Sequence, residues 1–243
     1  MALTEAFRKD LVRRGIPAGK IAVVINGVEL SRYSPRARDP RLAAQWGIRP
    51  ESFVVGYIGT LGMAHGLESV LDAAERFGGA GVDFLFVGPG AERARLEADA
   101  RRRGLTNVIF IPPQAKERMP DFWSLCDVAL VHLKNDPVFE TVIPSKIFEA
   151  MAMGLPILLG APPGEASRIV EGEQAGVWVP AQDLLALAAA VSGLRADPAW
   201  RCSLAAHSHA AAPRYSRERQ ARHMLAVLER VAAGEDGATP ELI

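Results

Sequence analysis

FVVGYIGTLGMAHGLESVLDAAERFGGAGVDFLFVG, residues 53–88, is the stretch that decides the fold. It opens on an unbroken apolar run, FVVGYI, with no polar residue to mark a solvated face. A strand of that kind is buried on both sides. A glycine-rich loop, GTLGMAHG (59–66), follows. The next segment, GLESVLDAAERF (66–77), sets Leu67, Val70, Leu71 and Ala74 on one face of a helix. A second apolar run, DFLFVG (83–88), repeats the first. Strand, loop, helix and strand make a βαβ unit. The pattern predicts an α/β protein: a Rossmann-like parallel sheet with helices on both faces.

The alternation continues toward the C-terminus. A helix over 91–103 ends at Gly104, and NVIFI (107–111) reads as a strand. MPDFWSLC (119–126) is a short helix and DVALVHL (127–133) a strand. The helix of SKIFEAMAMG (145–154) is closed by its glycine. PILLG (156–160), EASRIVEG (165–172) and AGVWVP (175–180) give strand, helix, strand. Extra helices over 182–195, 197–212 and 216–233 finish the fold, and GEDGATPELI (234–243) is expected to fray. Toward the N-terminus, TEAFRKDLVRRGIP (4–17) carries a helix ended by Gly15, and IAVVI (21–25) reads as a strand before the Asn26-Gly27 turn. The polar, proline-bearing stretch 31–50 is expected to be a linker with a short helix near 40–46. It would separate an N-terminal piece, 1–30, from a ligand-binding domain, 51–233.

The 243 residues carry 28 basic and 28 acidic side chains and are 49% hydrophobic. Without a basic field, nucleic acid is not an expected partner. Two cysteines, Cys126 and Cys202, make no disulfide framework and suit a reducing cytoplasm. The N-terminus is charged and helical in pattern, unlike a signal peptide, and no run reaches the ~20 apolar residues of a membrane span. The expectation is a cytoplasmic protein, with peripheral contact at the inner face of the membrane compatible with it.

In open α/β sheets, ligands sit beyond the carboxyl ends of the strands, so the strand-to-helix loops are the places to search. Gly59, Gly62 and Gly66 let backbone approach a ligand closely, although a tight turn needs glycine equally. The spacing is not the dinucleotide fingerprint G-x-G-x-x-G. Gly88, in GPGAER (88–93), repeats the form after the second strand. In PSKIFEAMA, Ser145 is placed to cap the helix with its hydroxyl. Lys146 follows in the first turn, where the helix dipole disfavours a cation by ~0.3–1 kcal/mol if exposed. An anion bound there would offset that cost. Glu149 shares the face and could accept hydrogen bonds from sugar or ribose hydroxyls. The alternative is a Lys146–Glu149 surface ion pair. The five histidines are scattered, and neither a metal-ligand spacing, a P-loop nor a nucleophile elbow is present, so no metal and no cofactor are expected. Phe122, Trp123 and Phe148 read as core.

Together these segments resemble the C-terminal half of a GT-B-fold, family 4 (group 1) glycosyltransferase. The likeness runs through IAVVINGVELSRYSP, YIGTLGMAHGLESVLDAA, DFLFVGPGAERARLE, NVIFIPP, MPDFWSLCDVALVHL and, most specifically, PSKIFEAMAMGLPILLG, followed by GEASRIVEGEQAGVWV. The WbuB-like bacterial enzymes that build cell-surface polysaccharides look most similar. The resemblance implies a retaining transferase that moves a sugar from a nucleotide-sugar, a UDP-sugar in many members, without a bound metal. Glu149 matches the ribose-binding second glutamate of the family's E-x7-E motif. The first falls on Thr141, with Glu140 beside it. The Arg and Lys that usually contact the diphosphate fall on Thr60 and His65. Lys146 remains as the catalytic cation for the pyrophosphate, with Ser145 and the loop 141–145 adding donors and His65 a further candidate to stabilise the leaving diphosphate. Ile111, Pro112 and Pro113 would flank the base. The resemblance also implies an N-terminal GT-B domain or partner chain for the acceptor, of which residues 1–28 would be the last helix and strand. The surface left by its absence is expected to self-associate. Competing readings are a non-catalytic nucleotide-binding module and half of a sugar-nucleotide epimerase.

Overall fold

A computed structural model describes residues 1–234. Apart from Gly234, the expected tail 234–243 lies outside the described residues. The strands are β1 (Phe53–Ile58), β2 (Val82–Val87), β3 (Val108–Ile111), β4 (Val128–His132), β5 (Ile157–Ala161) and β6 (Gly176–Pro180). They form one parallel sheet in the order β3-β2-β1-β4-β5-β6. The helices are α1 (Glu5–Arg13), α2 (Pro40–Gln45), α3 (Glu68–Arg76), α4 (Arg93–Arg102), α5 (Met119–Trp123), α6 (Lys146–Ala152), α7 (Glu165–Gly172), α8 (Leu184–Ala196), α9 (Pro198–Ala211) and α10 (Arg217–Ala232).

All six residues of β1 and of β2 are buried, which is why neither shows a polar alternation. Successive side chains point to opposite layers. Phe53, Val55 and Tyr57 join a core with α3, α4 and α8 residues such as Leu71, Leu96 and Val191. Val54 and Ile58 join a second core with Phe122, Trp123, Phe148 and Met151, the aromatics expected there. Polar caps start several helices: Thr4, Asp39, Asp183, Asp197 and Ser216 each accept from backbone amides two or three residues on.

Two expectations need correction. Residues 21–25 do not join the sheet. Among the described residues their only pairing is an isolated parallel bridge between Ala2 and Val23, held by Ala2 N–H to Ala22 O (2.8 Å) and Val24 N–H to Ala2 O (2.9 Å). The apolar run is there, but a strand also needs a neighbour to bond along its length, and only Ala2 is in reach. Ser145 does not cap α6. Its backbone is already helical (φ −58°, ψ −25°), so its exposed hydroxyl makes no capping bond.

Residues 31–50 pack on the sheet: Tyr33, Leu42, Ala43 and Ile48 are in the second core. Arg38 reaches Asp127 at 2.6 Å, and the same carboxylate oxygen accepts the amide of Val54 at 2.8 Å. Segment and central strand are thereby tied through one partly exposed acid. No helix of the described residues is long and apolar enough to cross a membrane.

Close fit shows at Gly56 in β1, where an added Cβ would lie 2.1 Å from Cys126 Sγ. Gly56→Ala is expected to lower stability by about 1–3 kcal/mol through overpacking. Urea unfolding should show that Gly56→Ala/Cys126→Ala loses less than the sum of the two single changes. Strict additivity would mean that the thiol is not the obstacle.

Candidate functional site

The strand order reverses on either side of β1, and the loops after β1 and β4 face each other across that point. Lys134 N–H bonds Ala64 O at 2.9 Å across the gap. The loop after β2 locks under the loop after β1: Leu61 N–H bonds Pro89 O (2.7 Å), and Glu92 N–H bonds Leu61 O (3.0 Å). Gly88 has φ +136°, and a Cβ there would meet Gly59 O at 2.3 Å, so glycine is required twice over.

Above these loops lies a cleft of about 340 Å³. Its wall brings together Gly59, Thr60, His65, Ser145, Lys146 and Glu149 from the expected set. Tyr33, Lys116 and Met119 also line it. Tyr33 stood within the quoted NGVELSRYSP segment but without a spacing that marked it; Lys116 and Met119 carried no local signal.

Lys146 is the unusual group. Only 9% of it is exposed, and its Nζ has no hydrogen-bond partner. The ammonium lies 3.6 Å from the ring centroid of Tyr57, a cation–π contact. It also lies against Gly59, where an added Cβ would be 3.1 Å from Nζ. The Tyr57 hydroxyl donates to Thr60 O at 2.8 Å, which fixes the ring that the lysine covers. Burial pulls the Lys146 pKa down to about 7, with the charge of Glu149 opposing the fall.

Glu149, one turn on, accepts from Trp123 Nε1 at 3.2 Å. Burial raises its pKa, while Trp123, Lys146, Lys116 and Tyr33 hold it down. The surface-pair alternative fails. Lys146 is buried, and no Lys146–Glu149 contact occurs among the ion pairs of the described residues. Two groups of opposite charge on one helix face therefore keep hydrogen-bonding capacity for something in the cleft. An anion fits Lys146, and a hydroxyl-bearing group fits Glu149.

The other expected residues stand apart from the cleft wall. Gly62 lies behind Thr60 and His65, with an added Cβ 3.6 and 3.8 Å from their side chains. The carbonyls of Gly88 and Ile111 both accept from Arg93 Nη1, at 2.9 and 2.7 Å. Pro112 and Pro113 are exposed beyond them, and the Pro112 carbonyl accepts from Gln114. Thr141 gives its hydroxyl to Val138 O at 3.0 Å. Among the described residues, no three His, Cys, Asp or Glu side chains converge as a metal site would require.

Known proteins resemble this chain in sequence and in fold. The family model described as "Glycosyl transferases group 1" matches residues 52–197. A protein of Escherichia coli (strain K12) described as a colanic acid biosynthesis glycosyl transferase, WcaI, is 29% identical over 154 residues, 63% of this chain and 38% of its own length. The structure of sucrose-phosphate synthase from Thermosynechococcus elongatus superposes with a TM-score of 0.79 at 25% identity, covering 96% of this chain and 58% of that one. HepE of Anabaena, solved in complex with UDP, superposes at 0.81 with 22% identity, covering 94% and 62%. The sheet with its extra C-terminal helices is thus the Rossmann-like domain of a GT-B fold. The chain spans less than two thirds of the length of each of these proteins.

The buried lysine gives a pH signature. Unfolded, Lys146 keeps its proton up to its ordinary value of 10.5; folded, it releases it near 7. Between these values the unfolded chain holds more protons, so stability rises with pH across that window. Relative to Lys146→Met, the wild type should gain stability between pH 7 and 9.5 in urea titrations. A pH-independent difference would show that the lysine titrates normally.

Proposed function

The chain belongs to the group 1 glycosyl transferases, and from that premise we propose that its cleft holds the diphosphate and ribose of a nucleotide-sugar, a UDP-sugar by preference. The proposed reaction transfers the sugar, with retention of anomeric configuration, to a polysaccharide or lipid-linked acceptor. One observation carries the reading: a buried lysine ammonium without a partner, on the cleft wall, with a half-buried carboxylate one turn away. An ionised diphosphate supplies the acceptor oxygens that Lys146 lacks. As the bond from the sugar to the diphosphate breaks, negative charge grows on the leaving oxygens. A cation already in place, partly screened from water, stabilises that charge more than it stabilises the bound substrate. The exposed Ser145 hydroxyl is free to donate to the same group. Glu149, oriented by the Trp123 indole, accepts from the vicinal hydroxyls of a ribose. No metal or cofactor takes part in this proposal.

The similarity to WcaI supports a role in building a bacterial surface polysaccharide; the WbuB-like subgroup and a place in the cytoplasm or at the inner face of the membrane are part of the same proposal. UDP in the HepE structure supports the choice of nucleotide. The acceptor would come from an N-terminal GT-B domain or a partner chain. The surface such a partner would cover has a counterpart: Met224, Leu225, Leu228 and Val231 of α10 and Leu3 and Phe7 near the N-terminus are exposed apolar side chains. On its own the chain should self-associate through them. Thr60 and Thr141, where the family resemblance would put a cation and a carboxylate, favour a second reading, a module that binds a nucleotide without turning it over.

Calorimetry with UDP tests the site. Lys146→Met and Glu149→Gln should each weaken binding roughly 10–100-fold, the worth of a hydrogen bond to a charged group. Unchanged affinity in both folded variants would remove the diphosphate and ribose from this cleft. Sedimentation of the free chain should show concentration-dependent association, and a strict monomer would count against the α10 surface.

A further inference from the structure

His65 stands where the resemblance would put a diphosphate-binding cation, yet its surroundings give it the opposite polarity. Its Nδ1 lies 3.2 Å from the backbone carbonyl of His132. A carbonyl brings no proton, so the ring nitrogen is the donor. His132 returns the contact, with Nδ1 2.6 Å from the carbonyl of His65. The two residues therefore clamp the loop after β1 to the end of β4, beside the Lys134 to Ala64 bond. The clamp is rigid. His132 is 1% exposed, and its ring fills the space above Gly160, where an added Cβ would lie 2.5 Å from Cδ2.

With Nδ1–H committed, a neutral His65 carries its lone pair on Nε2. No described protein group hydrogen-bonds that nitrogen, and the residue lines the cleft. Burial, with the charge of Lys146 adding to it, lowers the His65 pKa to about 4 despite the His132 carbonyl. The Tyr57 and His65 rings meet in a T-shaped contact with 5.7 Å between centroids.

We propose that His65 is a specificity-determining residue that presents an unprotonated Nε2 to the cleft and accepts a hydrogen bond from a hydroxyl of the donor's sugar. An ionised phosphate oxygen has no proton to give and is disfavoured beside this lone pair. The two sides of the cleft then sort the ligand: Lys146, a donor without a partner, takes the anion, and His65, an acceptor without a partner, takes a hydroxyl. The diphosphate is thereby oriented toward α6 and the sugar toward the loop after β1. The hydroxyl assignment rests on the nucleotide-sugar reading above; the polarity of His65 does not.

Nitrogen NMR of the full chain with 15N-labelled histidine separates the two, with His65 assigned by its loss in His65→Leu. At neutral pH the free protein should show the Nδ1–H tautomer at His65. Saturating UDP should leave it neutral. UDP-glucose or UDP-N-acetylglucosamine should shift the Nε2 resonance as it accepts a hydrogen bond. In calorimetry, His65→Leu should weaken a UDP-sugar about tenfold and leave UDP unchanged. An Nε2–H tautomer, or an imidazolium in the free or UDP-bound protein, overturns the proposal. So does an equal loss of affinity for UDP and UDP-sugar. Absence of any UDP binding overturns the nucleotide-sugar reading and the hydroxyl assignment with it, while the tautomer of the free protein still decides the polarity.

Discussion

Strand β1 has no solvated side and no free edge, and the rest of the molecule is arranged around that constraint. Its odd residues enter one core and its even residues the other, while β2 and β4 take its two edges. Helices must then cover both faces, and the chain must leave β1 in one direction and come back to β4 in the other. At the carboxyl end of the pair the covering elements part, and a crevice is left that no apolar side chain fills. Tyr57, the penultimate residue of the strand, is buried, yet its ring forms the bed on which Lys146 lies. The site is thus an extension of the core rather than an addition to it.

The chemistry of the crevice follows from incomplete satisfaction. Most buried polar groups have a partner, as the Asn107 side-chain amide nitrogen does in the carbonyls of Ala74 and Val82. Lys146 has only the face of a ring. An aromatic quadrupole offsets part of the lost hydration of an ammonium, and the lowered pKa expresses the remainder. A fold that keeps such a group accepts lower stability at neutral pH, which an anionic ligand would restore. Local instability at a binding site is then the counterpart of affinity.

The layers and every strand of the sheet were legible in the sequence, because continuous apolar runs alternating with helical periodicity have one economical arrangement. Residues 21–25 misled for the same reason. Their apolar run met the pattern, but the pattern does not say whether a neighbour is present. Lys146 and Glu149 were legible as a pair on one helix face. Their burial was not, since it depends on Tyr57 and Gly59 arriving from a strand nearly ninety residues earlier. Ser145 was misread because capping depends on a backbone angle that composition leaves open. Tyr33 shows the reverse case: it lay in a recognised segment, but only the packing of residues 31–50 on the sheet brings it to the cleft.

The ring of His132 above Gly160 has a consequence for how such a sequence can change over generations. The two residues are adjacent strand ends in register, and the space for one side chain is occupied by the other. A lineage that replaces Gly160 while keeping the ring meets a clash, and one that loses the ring first leaves a void and a loosened loop. Substitution at the two positions is therefore ordered. The passable route shrinks residue 132 before anything grows at 160, and the loop that carries His65 drifts while the exchange is under way. Positions 132 and 160 should accordingly be inherited as a unit, even though neither lines the cleft.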